Sequence, residues 1–173
     1  MRFHSVLRPL RLLLLAASLG AASGLLQAQA LPPDVHLGMT VKELQAALPG
    51  LERVQRPQRL APGLAGSWHG TPAPIGGLLF QPVFYLAGGQ LRRVEWVAAA
   101  PAAPDMAAAA FAELVAWGRS QFGPELASND PGSAYAAWVQ GDVDVYAHYV
   151  NDARSPSVRL VYKTRQLKDA SEL

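Results

Sequence analysis

Leu78 to Val97, in the middle of the chain, constrains the fold more than any other stretch. It holds two β-prone runs, Leu-Leu-Phe-Gln-Pro-Val-Phe-Tyr-Leu-Ala and Gln-Leu-Arg-Arg-Val-Glu-Trp-Val, split by Gly88-Gly89. Such a pattern reads as a β-hairpin, and the loop length decides which side chains share a face. A two-residue loop at Gly88-Gly89 places Val83 and Tyr85 beside Arg92, Val94 and Trp96. A three-residue loop, Ala87-Gly88-Gly89, gathers Phe80, Phe84, Leu86, Val94 and Trp96 on one side. It leaves Gln81, Tyr85, Arg93 and Glu95 on the other. The second register gives the cleaner apolar face and is the one expected.

The alternation continues further on. Val143, Val145, Ala147 and Tyr149 point one way, and Asp142, Asp144, Tyr146 and His148 the other. Val158, Leu160 and Tyr162 alternate with Arg159, Val161 and Lys163. Tyr135 to Val139 is another β-prone run. Leu51 to Leu60, interrupted by Pro57, reads as a loop or short edge strand. Ala61 to Gly77 has five Gly and three Pro, which predicts a long loop around Ser67-Trp68-His69.

Two helices are expected. Thr40 with Glu43 three residues later is a capping box, with Met39 and Leu44 at the staple positions and Val41, Leu44 and Leu48 as the stripe. Pro49-Gly50 stops this helix after about three turns. The second runs from Asp105 to Phe122. Ala107, Phe111, Leu114, Val115, Gly118 and Phe122 lie on one face, Met106 and Trp117 at its margin, and Gly123-Pro124 at its end. The order is helix, strands, helix, strands. It implies an α+β domain with two helices on one face of a mostly antiparallel meander sheet, its two halves a diverged internal repeat.

The chain opens on Arg2, Arg8 and Arg11, an apolar run from Leu12 to Leu19, and Ala28-Gln29-Ala30. This is the pattern of a secretory signal peptide cleaved after Ala30, and it points to the periplasm or to secretion. Ser18, Gly20, Ser23 and Gly24 interrupt the apolar run, which falls short of the roughly 20 residues of a span. The expected organisation is a leader over residues 1–30, one α+β domain over 31–164 and a polar tail over 165–173. Without the leader, twelve basic side chains stand against thirteen acidic ones. The Arg53, Arg56, Arg59 run on so balanced a chain does not suggest nucleic acid. No cysteine is present, so disulfides, thiolate metal sites and a cysteine nucleophile are excluded.

The run Leu37-Gly38-Met39-Thr40-x-x-Glu43-Leu44, ending near Pro49-Gly50 before antiparallel strands, resembles the opening of small exported envelope proteins. These are the outer-membrane-assembly lipoproteins of the SmpA/OmlA type and the β-lactamase-inhibitor-like domains. The resemblance covers about a dozen residues. It implies helices against a small antiparallel sheet and a role in binding other proteins, and it assigns no functional residue. The chain departs from both groups in lacking the lipidated cysteine and the disulfides.

No phosphate-cradling loop, zincin helix or dinucleotide fingerprint occurs. Asp142, Asp144, Tyr146 and His148 share a strand face, but Asp142 and His148 are about 20 Å apart along an extended strand, too far for one metal ion. Ser67 and His69 bring a hydroxyl and an imidazole together without the glycines of a nucleophile elbow. Glu95, Glu113 and Glu125 have no spacing that pairs two of them. Aromatic side chains remain, and Trp68, Trp138, Tyr146 and His148 are the candidate binding residues. The expectation is a non-catalytic binding module for a protein or envelope component, an envelope or secreted protein being the expected partner, with no cofactor or metal. The alternative is a hydrolase acting on an envelope substrate, with His69 or His148 as base.

Overall fold

The two runs around Gly88-Gly89 pair as expected, but by a different route. In the computed structural model, which describes residues 31–60, 63–101, 103–128, 135–151 and 155–165, they form β4 (Leu78–Ala87) and β5 (Gln90–Ala99). Ala87 pairs with Gln90, so the loop has two residues, Gly88 and Gly89 at φ 59° and 75°. Both lie in the left-handed region that glycine enters without steric cost. The register then shifts, because Leu86 pairs with Leu91 and Tyr85 with Arg93. Arg92 is the extra residue of a bulge. The bulge undoes the slip that the shorter loop would cause, and Phe84 meets Val94 as the apolar pattern requires.

Every pairing in the sheet is antiparallel. The strand order is β1-β2-β4-β5-β9-β8-β7-β6, with β3 paired to β4. The further strands are β1 (Glu52–Leu60), β2 (Leu64–His69), β3 (Ala73–Ile75), β6 (Ala127–Ser128), β7 (Tyr135–Gln140), β8 (Val143–Val150) and β9 (Ser157–Thr164). The helices are α1 (Val41–Ala47) and α2 (Pro104–Phe122). Each half is thus a helix followed by a meander, and the halves join through β5 and β9 at the middle of the sheet. The model has the expected α+β architecture.

Register writes the core as lateral rows. Phe84, Val94, Tyr162, Val145 and Trp138 stand side by side across five strands; Pro82, Trp96, Leu160, Ala147 and Ala136 form the next row. Both rows join Leu44 of α1 and Phe111, Leu114 and Val115 of α2 in one core. The capping box forms as read, with Glu43 N–H donating to Thr40 Oγ1 and Thr40 N–H to Glu43 Oε2 at 2.7 Å. Met39 and Leu44 are both buried. This helix has only two turns, since Leu48 already leaves helical geometry ahead of Pro49. Met106, placed at the margin of the α2 stripe, is exposed.

The Gly- and Pro-rich stretch from Ala61 to Gly77 is not a loop: it contains β2 and β3, which follow one another along the same edge of β4. Composition misleads here because the glycines serve packing. A Cβ on Gly66 would lie 2.8 Å from the Tyr85 ring, so glycine is what lets the two strands pair without displacing that ring. The break between β2 and β3 falls opposite Pro82, which lacks an N–H to donate, while its carbonyl accepts from Gly70 N–H at 3.1 Å. β1 is a nine-residue edge strand that holds Pro57 at a register shift between Arg53 and Gln58. The expected leader and all of the expected tail beyond Arg165 lie outside the described residues. No helix among the described residues is long and apolar enough to cross a membrane.

Candidate functional site

The sheet's other face carries no helix among the described residues, and its chemistry is different. Its central row is Val83, Glu95, Val161, Tyr146 and Ala137. One flanking row is Tyr85, Arg93, Lys163, Asp144 and Val139, and the other Gln81, Val97, Arg159, His148 and Tyr135. Alternation delivers these residues to one side, and the long basic side chains of β5 and β9 close over the centre.

Glu95 is the pivot. It is 1 % exposed, yet it belongs to the helix-free face. Arg93 reaches its Oε1 through Nε at 2.7 Å and Nη2 at 2.6 Å. Its Oε2 accepts from Arg159 Nη1 and from the Tyr85 hydroxyl, both at 3.4 Å. A carboxylate removed from water needs such partners, because an unpaired buried charge costs several kcal/mol, roughly 3–5 when one partner is deleted. The Tyr85 hydroxyl also lies within hydrogen-bond distance of Gln58 Oε1, at 3.1 Å, so β1 is tied to the same cluster. Burial, reinforced by the Glu95 carboxylate, pushes the Tyr85 phenol up to about 12.

Beside this pivot, the Tyr146 ring has Arg93 at 5.6 Å and Lys163 at 5.8 Å from its centroid, both within cation–π range. Tyr135 packs on Tyr146 at 5.9 Å, and His148 meets it edge-on at 5.7 Å. Burial first, then the Arg159 guanidinium, lowers the His148 pKa, so the imidazole is neutral near pH 7. Its Nε2 is buried with no hydrogen-bond partner among the described residues. Asp144 lies 3.8 Å from Lys163 and 3.9 Å from Arg165.

The four aromatic and imidazole residues singled out from sequence therefore divide. Tyr146 and His148 stand together on the helix-free face. Trp138 is 2 % exposed in the helix-side core, donating from Nε1 to Gly123 O at 3.0 Å, with its ring against Gly118. Trp68 pairs with Phe84 and packs on the same core. Neither indole reaches Tyr146, because strand parity sends them through the sheet. Arg93, Glu95 and Arg159 were missed as a site. The available signal was two like-facing positions on a central strand, Arg93-x-Glu95, with Arg159 on the strand that joins the halves.

Catalytic geometry is sparse. Ser67 Oγ donates to Ala65 O at 3.2 Å, so its proton is engaged locally. His148 stands on β8, four strand spacings from β2 and hence about 19 Å from Ser67. Among the described residues no three His, Asp or Glu side chains gather at metal-binding distance. On the helix side, a cleft of about 550 Å³ lies over Pro82, Phe84 and Trp96 and is edged by Pro49, Thr71 and Trp117. It is apolar and holds no charged side chain.

No family model matches this chain, and neither a curated protein nor a solved structure is found to be similar to it.

Proposed function

We infer that this chain is an exported, non-catalytic binding module that docks a protein partner on the helix-free face of its sheet. The observation that carries this reading is the lattice around Glu95, where two guanidiniums and a lysine are held beside Tyr146, Tyr135 and His148. Arginine and tyrosine are the residues that most often anchor interfaces, being large, partly apolar and able to hydrogen-bond at their tips. The leader pattern of residues 1–30 and the resemblance of Leu37–Leu44 to exported envelope proteins support the compartment and the binding role.

A photo-crosslinking residue placed at Tyr146 in the intact cell is expected to trap a defined adduct, and one placed at the exposed Met106 of α2 is not. Equal labelling from both positions, or labelling from Met106 alone, contradicts the reading.

The hydrolase reading has one observation in its favour, the neutral His148 imidazole, whose buried Nε2 has no hydrogen-bond partner among the described residues. Replacing His69 and His148 together would abolish turnover in any preparation that hydrolyses an envelope substrate. Full retention removes this alternative.

A further inference from the structure

In the cluster around Glu95, cations outnumber the carboxylates they pair with. Arg93, Arg159, Lys163 and Arg165 stand against Glu95 and Asp144. The carboxylates are also unequal in kind. Glu95 is sealed off at 1 % exposure and acts as an internal brace for two guanidiniums whose side chains remain 18 % and 26 % exposed. Arg159 spends Nε on Ser157 Oγ and Nη1 on Glu95, which leaves its Nη2 without a hydrogen-bond partner among the described residues. A guanidinium fixed from behind by a buried carboxylate is preorganised for an incoming one, because less side-chain entropy is lost on binding.

We propose that Arg159, Lys163 and Arg93 form a carboxylate-binding face for an extended acidic segment of a protein partner, a proposal that rests on the docking role assigned to this face. The spacing selects the segment. Arg159 and Lys163 lie four residues apart on β9, about 13 Å along an extended strand. Carboxylates four residues apart on an extended peptide have the same separation. A residue between them passes beside the half-buried Tyr146, where an apolar side chain meets the ring. The matching sequence is Glu-x-apolar-x-Glu in extended form. Nucleic acid and lipid headgroups offer phosphates instead, at spacings set by their own backbones or by the bilayer.

The test uses the purified protein and a labelled peptide carrying Glu-Ser-Leu-Ser-Glu between neutral residues, with the Gln-Ser-Leu-Ser-Gln peptide as control. The Glu peptide is expected to bind at least tenfold more tightly. Lys163→Gln, which leaves the Glu95 brace intact, is expected to weaken it about fivefold, and Arg159→Gln about tenfold. Raising salt from 50 to 300 mM should erase most of the difference between the peptides. Circular dichroism and urea midpoints establish that each variant is folded, and Lys163→Gln carries the test alone if Arg159→Gln is not. Equal binding of the two peptides, no binding of either, or an unchanged affinity in Lys163→Gln overturns the proposal. So does inorganic phosphate displacing the Glu peptide at concentrations where acetate does not. Specific crosslinking from position 146 alongside any of these results would leave the docking face standing and remove only its acidic partner.

Discussion

The same strands present two different solutions to burial. On the helix side, Phe84, Val94, Tyr162, Val145 and Trp138 run across the sheet with no charged residue among them, and α1 and α2 cover the rows. On the other side, Val161 is as thoroughly buried as any core residue and Glu95 nearly so, with no helix above them among the described residues. Their cover is made of guanidinium, ammonium and phenol side chains rooted in neighbouring strands. Among the described residues, this face excludes water at its centre without a second layer. Long amphipathic side chains do it if a buried counter-charge holds them in place. A face built this way stays chemically available at its surface, whereas the helix-covered face does not.

Substitutions on the two faces should separate cleanly. The largest loss is expected for Trp138→Ala, about 3–5 kcal/mol by urea denaturation, from a cavity under α2 and the lost Gly123 hydrogen bond. Peptide binding by the surviving folded fraction should be unchanged. Arg93→Met comes next, at about 3 kcal/mol, because it strips Glu95 of its closest partner. Adding Glu95→Gln should recover much of that loss, since the buried charge is then gone. If the double variant is no more stable than the single one, Glu95 is not the brace described.

Two matched glycine changes sharpen the contrast. In Gly118→Ala the new Cβ would sit 2.6 Å from two Trp138 ring atoms, and overpacking there should cost about 2 kcal/mol. In Gly66→Ala the clash is with Tyr85, at 2.8 Å, and should cost about 1 kcal/mol because alanine is better suited to a strand than glycine. Gly66→Ala alone should weaken binding on the cationic face, through the shift in Tyr85.

The smallest effect is pH-dependent. The His148 pKa is lowered in the folded state from 6.5, so below about pH 6.5 the unfolded chain takes up the proton first. Stability is full above that pH and falls as the pH drops toward the folded value. His148→Asn should flatten the urea midpoint between pH 7 and 5.5, and an undiminished slope would place the titrating group elsewhere.

Much of this comparison was legible in the sequence, and for definite reasons. Period-two alternation in Asp142–Val150 and Val158–Lys163 assigned the faces of β8 and β9 correctly, because burial on one side penalises any slip. The face partition of the β4–β5 hairpin was also right, although its loop is one residue shorter than expected and Arg92 makes up the difference. Thr40 and Glu43 declared α1 through local hydrogen bonds alone. What escaped was tertiary. The glycines of the stretch from Ala61 to Gly77 resemble a loop, yet Gly66 exists to admit a ring from a residue nineteen positions away. Trp68 and Trp138 look like binding residues by type, and only strand parity shows both on the helix side, Trp138 in the core and Trp68 half-buried against it. The Arg93–Glu95–Arg159 lattice depends on β9 returning to lie beside β5, a pairing between halves that no local pattern encodes.

Amide chemical-shift mapping during titration with the Glu-Ser-Leu-Ser-Glu peptide tests the central claim most directly. Perturbations gathered on residues 93–97, 144–148 and 159–163 are the expected result. Perturbations confined to Leu48, Thr71 and Trp117 around the apolar cleft, with the β5 and β9 amides unmoved, would contradict it.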